Sequence, residues 1–198
     1  MKRFFSILFV IIPMGMFALS PQEAELKLSE LHKQLSASES DVRSDSICEA
    51  MRQTFIGILD QSETFEFPFK QLQFCTLTSK DKRIRLFNWN LPYLDGTHKY
   101  FCFLLVRDLD TKAHVWYELE DALHEPEKLE QRFLTIDKWL GALYYEIIPM
   151  GPKGRGDTYT LIGWDGKDNL TTRMIIDAIT ITGEKVRLGA TLFEYAGE

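Results

Sequence analysis

Apolar positions along this chain follow two periods, and the change between them falls near residue 62. Over about 21–38 the chain is rich in Glu, Leu, Lys and Gln, with Leu26, Leu28, Leu31 and Leu35 near helical spacing. A Ser-rich break follows. From about 43 to 59, Ile47, Met51, Phe55, Ile58 and Leu59 recur at three- and four-residue steps, the mark of an amphipathic helix. Asp45, Ser46 and Glu49 lie near its start, where the helix dipole favours acidic and polar groups.

After Asp60 the period shortens. Phe65, Phe67 and Phe69 alternate with Glu66 and Pro68, and Pro68 argues against a central strand there. Runs of β-branched and aromatic residues then predict strands at 71–78, 83–89, 99–107, 115–120, 143–148, 158–163, 174–181 and 185–188. Asp95-Gly96, Asp165-Gly166, the glycine-rich stretch 151–157 and Thr182-Gly183-Glu184 supply turn chemistry between them. A short helix is expected over 125–133. Connections this short join antiparallel neighbours, because parallel strands need crossover helices.

The expected fold class is therefore α+β: N-terminal helices followed by a mainly antiparallel β meander, sandwich-like or partial-propeller-like. A strand, a tryptophan and an Asn or Asp at a turn occur twice, at Trp89-Asn90 and Trp164-Asp165. Two copies make a weak internal repeat. The division read from these patterns is a signal peptide at 1–20, a helical segment at 21–62 and a β-rich domain at 63–198.

The leader rests on its own pattern. Met1-Lys2-Arg3 is followed by the apolar run Phe4 to Ile12 and then by a softer stretch with Pro13, Gly15, Ala18 and Ser20. A basic start, a short apolar middle and small residues at the end make a signal peptide. As a helix, Phe4 to Leu19 would reach roughly 24 Å at about 1.5 Å per residue, short of the ~30 Å hydrocarbon core. The expected product has no stable membrane anchor and is periplasmic or secreted. Ala18 and Ser20 both fit the cleavage pattern, with Pro21 an awkward neighbour for a cut after Ser20.

Charge and cysteine narrow the classes further. Lys and Arg total 23 against 29 Asp and Glu, a net −6, and removing the leader makes the chain more acidic still. Nucleic acid, which needs clustered cations, is excluded as a partner. Three cysteines, Cys48, Cys75 and Cys102, allow one bridge in an oxidising compartment or three buried thiols.

Tyr144-Tyr145-Glu146-Ile147-Ile148-Pro149 and Tyr159-Thr160-Leu161-Ile162-Gly163-Trp164-Asp165-Gly166 carry a resemblance, as do Ser79-Lys80-Asp81, Arg85 to Asn90, Asp95-Gly96-Thr97 and the closing Leu188-Gly189 with Leu192-Phe193. Over roughly 65–193 the chain resembles a family of uncharacterised exported proteins from Bacteroidota. The resemblance implies compartment and fold, and no activity. Cys102 stands where that family's pattern implies a glycine.

No catalytic constellation stands out. Cys102 and His98 share a strand face, but at about 3.3 Å per residue their backbones stand roughly 13 Å apart, against a hydrogen-bond reach of about 3 Å. His32, His98, His114 and His124 lack metal-ligand spacing, and no metal or cofactor is expected. Asp165-Gly166-Lys167-Asp168-Asn169 offers oxygen ligands for a cation, or an Asp-Gly turn bonded to its own backbone. Gly151, Gly154 and Gly156 fall in the wrong order for a phosphate loop.

Aromatics are the remaining signal. Trp89, Tyr93, Trp116, Tyr117, Trp139, Tyr144, Tyr145, Tyr159 and Trp164 either fill the core or open a binding face. The candidate ligand-binding residues are Trp89, Asn90, Trp164, Asp165 and Asp168, rings beside polar groups at strand ends. The expected function is a non-enzymatic domain for a small molecule, glycan or protein. One alternative is a glycan or cell-envelope hydrolase drawing on Glu118, Glu120, Asp121, Glu146, Asp165 and Asp168. Another is an accessory protein of an envelope assembly.

Overall fold

A computed structural model describes residues 19–121, 135–153, 156–168, 170–183 and 185–189. Helix α1, Pro21–Ser36, starts on a capping box. Glu23 donates its backbone N–H to the Ser20 hydroxyl, and the Glu23 carboxylate accepts from Ser20 N at 2.9 Å. Its buried face runs through Ala24 and Leu28, with Leu31 and Leu35 packed beside it. Leu26 is the exception to the expected stripe: two residues on from Ala24 it points to the opposite side and is exposed. Helix α2, Asp41–Leu59, buries Ile47, Met51, Phe55, Ile58 and Leu59 as the spacing predicts.

Short 3-10 turns at Ser62–Phe65 and Lys70–Leu72 follow, so the first strand is shorter than expected. The strands are β1 (Thr76–Thr78), β2 (Ile84–Pro92), β3 (His98–Arg107), β4 (His114–Leu119), β5 (Leu143–Lys153), β6 (Gly156–Asp165), β7 (Arg173–Thr182) and β8 (Lys185–Leu188). They form two four-stranded antiparallel meanders, β1-β2-β3-β4 and β5-β6-β7-β8. The helix expected over 125–133 lies outside the described residues.

Two cores make three layers. On one face of the first sheet, Phe87, Trp89, Leu91, Phe101, Phe103 and Leu105 pack with α1 and α2. On its other face Ile84, Leu86, Tyr100, Cys102 and Leu104 share a core with Tyr144, Ile147, Tyr159, Leu161, Ile179 and Ile181 of the second sheet. The first sheet is thus covered on both sides, which is why β2 and β3 read as nearly continuous apolar runs. The two sheets face one another across one core. This is the expected α+β fold, helices followed by an antiparallel β meander. No helix among the described residues is long and apolar enough to cross a membrane.

Candidate functional site

The two Trp-polar pairs occupy corresponding places. Each lies on the second strand of its meander, β2 or β6. Because side chains alternate along a strand, the tryptophan faces away from the inter-sheet core and the polar residue after it faces inward. Their surroundings then differ. Trp89 is 3% exposed, stacked on Phe101 of β3 at 5.0 Å between centroids and on Phe55 of α2 at 5.2 Å. It is core, and its ring is not open to a ligand, contrary to the sequence expectation. Trp164 has only a partial cover.

The inward polar residues gather at one end of the sandwich. Asn90, on β2, donates its side-chain amide to His98 Nδ1 at 3.0 Å, the two residues lying on the inter-sheet face of the β2–β3 hairpin. The His98 ring stands edge-on to Trp164, centroids 5.2 Å apart. It also lies against Gly166, where a Cβ would come within 2.4 Å of His98 Nε2. Only glycine allows the imidazole to fill this place between the sheets.

Tyr100 makes the second link. Its hydroxyl donates to Asp165 Oδ1 at 2.9 Å and accepts from Gly166 N at 2.7 Å, while its backbone N–H donates to Asp121 Oδ2 at 2.9 Å. Asp165 is 5% exposed and also accepts from Lys167 N at 3.0 Å and Arg173 Nε at 2.8 Å. Burial raises the carboxyl pKa of Asp121, with Asp165 adding to the effect, and raises the Tyr100 hydroxyl as well.

The other candidates are placed apart. Asp168 is exposed and accepts from Leu170 N and Thr171 N, both at 2.8 Å, bonds that lower its pKa and close its own turn. Asp165 points inward and Asp168 outward, so the loop does not converge on a cation. Asn169, Gly154, Arg155 and His124 lie outside the described residues. Among those described, no three His, Cys, Asp or Glu side chains gather as metal ligands. Cys48, Cys75 and Cys102 are buried and unpaired; burial pushes the Cys48 thiol up to about 11 and the Cys75 thiol up to about 12.

Of the six carboxylates considered for hydrolysis, Asp121 and Asp165 share a neighbour, Asp121 at the backbone N–H of Tyr100 and Asp165 at its hydroxyl. Neither resembles a poised acid–base pair: Asp165 is saturated by donors, and Asp121 sits behind Tyr100 and Gly141. Glu118 takes Arg52 Nη2 at 2.7 Å; Glu120 and Glu146 are exposed.

The chain matches no protein-family model, no curated protein and no solved structure. Functional reading therefore starts from surfaces. Tyr100, Arg173, Met174 and Ile176 were not singled out by the sequence patterns. A signal existed for the last two. Strand β7 carries Met174 and Ile176 on one face and Ile175, Ile179 and Ile181 on the other, and a strand apolar on both sides calls for cover on both.

Proposed function

We propose that this is an exported, non-enzymatic domain, periplasmic or secreted, that binds another protein through the outer face of its second sheet. The observation that carries the reading is Met174 and Ile176, 73% and 53% exposed on that face. Register places Trp164 beside Met174, and Ile162 beside Ile176 and Glu146; Tyr145, next to Glu146 at a break in the register, is 52% exposed. Contiguous exposed apolar residues of this kind mark interaction surfaces.

The chemistry of the partner follows from what is free and what is not. A glycan needs convergent polar groups beside a ring. Asn90, Asp165 and Asp168 are instead engaged within the chain, with His98, with Tyr100 and Arg173, and with the turn backbone. What remains is apolar. The first sheet displays what such a face accepts: its corresponding tryptophan is covered by the apolar side of α2. A partner protein presenting an apolar face would do the same for Trp164. The acidic balance of the chain disfavours both a second copy and an anionic membrane as the occupant.

The test is photo-crosslinking in the native cell from a reactive residue at Met174, with one at the equally exposed Val42 on α2 as the control. The expected result is an adduct of one defined mass from position 174 alone, lost on Ile176→Asp. Equal adducts from both positions, an adduct of twice the chain mass, or none would overturn the reading.

A further inference from the structure

The outer face of the second sheet is open at one end and closed at the other. On β7, Ile176 is 53% exposed, while Ala178, two residues on and on the same face, is 4% exposed. Thr158 and Thr160 on β6 are buried as well. All three small residues point away from the inter-sheet core, because Tyr159, Leu161 and Ile179, which alternate with them, belong to it. Thr158 lies opposite Gly151, which has no side chain to shade it. Among the described residues, the elements that pack closely on the second sheet are β1, β2 and the 3-10 turn Ile136–Lys138. Their residues Leu77, Ile84, Leu86 and Ile136 join the inter-sheet core, on the inner side. The outer cover comes from elsewhere in the chain.

We propose that the C-terminal segment, residues 190–198, lies across the closed end of this face, over Ala178, Thr160 and Ile148. In that position it bounds the apolar surface and leaves Met174 and Ile176 as its exposed part. The inference concerns the end of the face away from Met174, and it holds whether or not a partner binds there.

The placement follows from where the described chain stops. Gly189 donates its N–H to the Ala178 carbonyl at 2.8 Å, and its φ of 80° turns the chain out of the strand. Register sets Ala178 opposite Thr160, and Thr160 opposite Ile148. The row to be covered therefore begins at the residue from which the segment departs. Strands stand about 4.8 Å apart, so passing from β7 over β6 to β5 takes about 10 Å, the reach of roughly three or four extended residues. Leu192, Phe193 and Tyr195 supply apolar cover, and the charged side chains of the segment, Glu194 and Glu198, are both acidic. Arg187 of β8 stands exposed beside Thr180 on this face, with the sign that suits them.

Other parts of the chain start from the wrong place. Residues 122–134 follow Asp121, which bridges to Trp139 and, through Tyr100, stands at the Asp165 end of β6. From there a cover would cross Met174 and Ile176 first, and these are the exposed residues. Residues 1–18 lead into Leu19, which packs in the helix-side core beyond the first sheet.

Methyl NMR on the purified protein tests the placement. The Ala178 and Thr160 methyl groups should show Overhauser contacts to ring protons of Phe193 or Tyr195, assigned by their loss in Phe193→Leu or Tyr195→Leu. Ending the chain at Gly189 should shift the methyl signals of Ala178, Thr158 and Thr160 and leave that of Ala24, in the helix-side core, in place. Contacts from these methyls to residues 1–18 or 122–134, contacts only to a second copy in a mixed-label sample, or none to residues 190–198 would each overturn the proposal. So would methyl signals unmoved by the truncation. The Overhauser contacts are read on the intact chain, so a poorly folding truncation leaves the test standing.

Discussion

Asn88 on β2 accepts the backbone N–H of Tyr144 on β5, Oδ1 to N at 2.6 Å, and so joins the two sheets through one side chain. Asn88 is buried, and its own N–H donates to the Cys75 carbonyl at 2.8 Å. Tyr144 is equally enclosed: its hydroxyl accepts from Trp139 Nε1 at 2.8 Å and donates to Asp177 Oδ2 at 2.5 Å. The start of β5 is thus fixed by hydrogen bonds inside an apolar core. Replacing Asn88 by Val keeps strand propensity but leaves the Tyr144 N–H without an acceptor. A buried unsatisfied donor costs about 1–3 kcal/mol. Urea unfolding of Asn88→Val should reveal a loss of this size with an unchanged slope.

Arg85 is a second buried polar group, with a different solution. Its guanidinium lies 5.0 Å from both the Phe69 and Phe87 ring centroids, and Nη1 donates to the carbonyls of Thr64, Phe65 and Phe67. Burial pushes its pKa down to about 10, partly offset by Glu66. The side chain holds the 3-10 turn after α2 onto the first sheet. Lysine has donors enough for the carbonyls but no planar, weakly hydrated guanidinium to lie between the two rings. Arg85→Lys should therefore lower stability by on the order of 2 kcal/mol, a charge-assisted hydrogen bond being worth about 1.5–3 kcal/mol. Loss of protection at amides 64–72 in hydrogen exchange would localise the effect.

Much of the fold was legible because burial followed period. Every expected strand has a counterpart, and the α2 stripe is buried residue for residue, since 3.6-residue and two-residue repeats are fixed by backbone geometry. The site was less legible. Trp89 and Trp164 look alike in sequence, but one lies under Phe55 of α2 and the other does not, and that difference is set by contacts across more than thirty residues of chain. Asp165 reads as a turn residue; that it turns inward to Tyr100 and Arg173 depends on how the second sheet meets the first. Leu26 failed for a local reason, its angle on α1.

Stability should depend on pH through two histidines. Burial lowers the pKa of both His98 and His32, the latter stacked on Phe74 with centroids 3.7 Å apart; Asp165 opposes the shift at His98. A lowered folded-state pKa means that the unfolded chain binds more protons in the window between the folded value and about 6.5, so stability rises with pH there and falls as the solution is acidified through it. Urea midpoints from pH 7.5 downward should drop below about pH 6.5. The double variant His32→Gln, His98→Gln should flatten that part of the curve, and an unchanged drop would assign it to other groups.

Ser20 closes the N-terminus of α1, and on the proposed export route this would limit where a leader could be removed. Its hydroxyl donates to Glu23 Oε2 at 2.7 Å and accepts the Glu23 N–H at 3.3 Å, its carbonyl accepts from Ala24 N at 2.9 Å, and the Leu19 carbonyl takes Gln61 Nε2 at 2.7 Å. Leu19 also packs against the helix-side core. A cut after Ser20 would remove both residues, leaving α1 to begin on an uncapped proline. Losing a serine cap costs about 1 kcal/mol, so Ser20→Ala should lower stability by that amount in chemical unfolding. On the proposed export route, mass spectrometry of the mature protein should find Leu19 and Ser20 retained, with Ala18 as the last residue of the leader. A mature chain starting at Pro21 would mean that the capping box never forms in the processed protein.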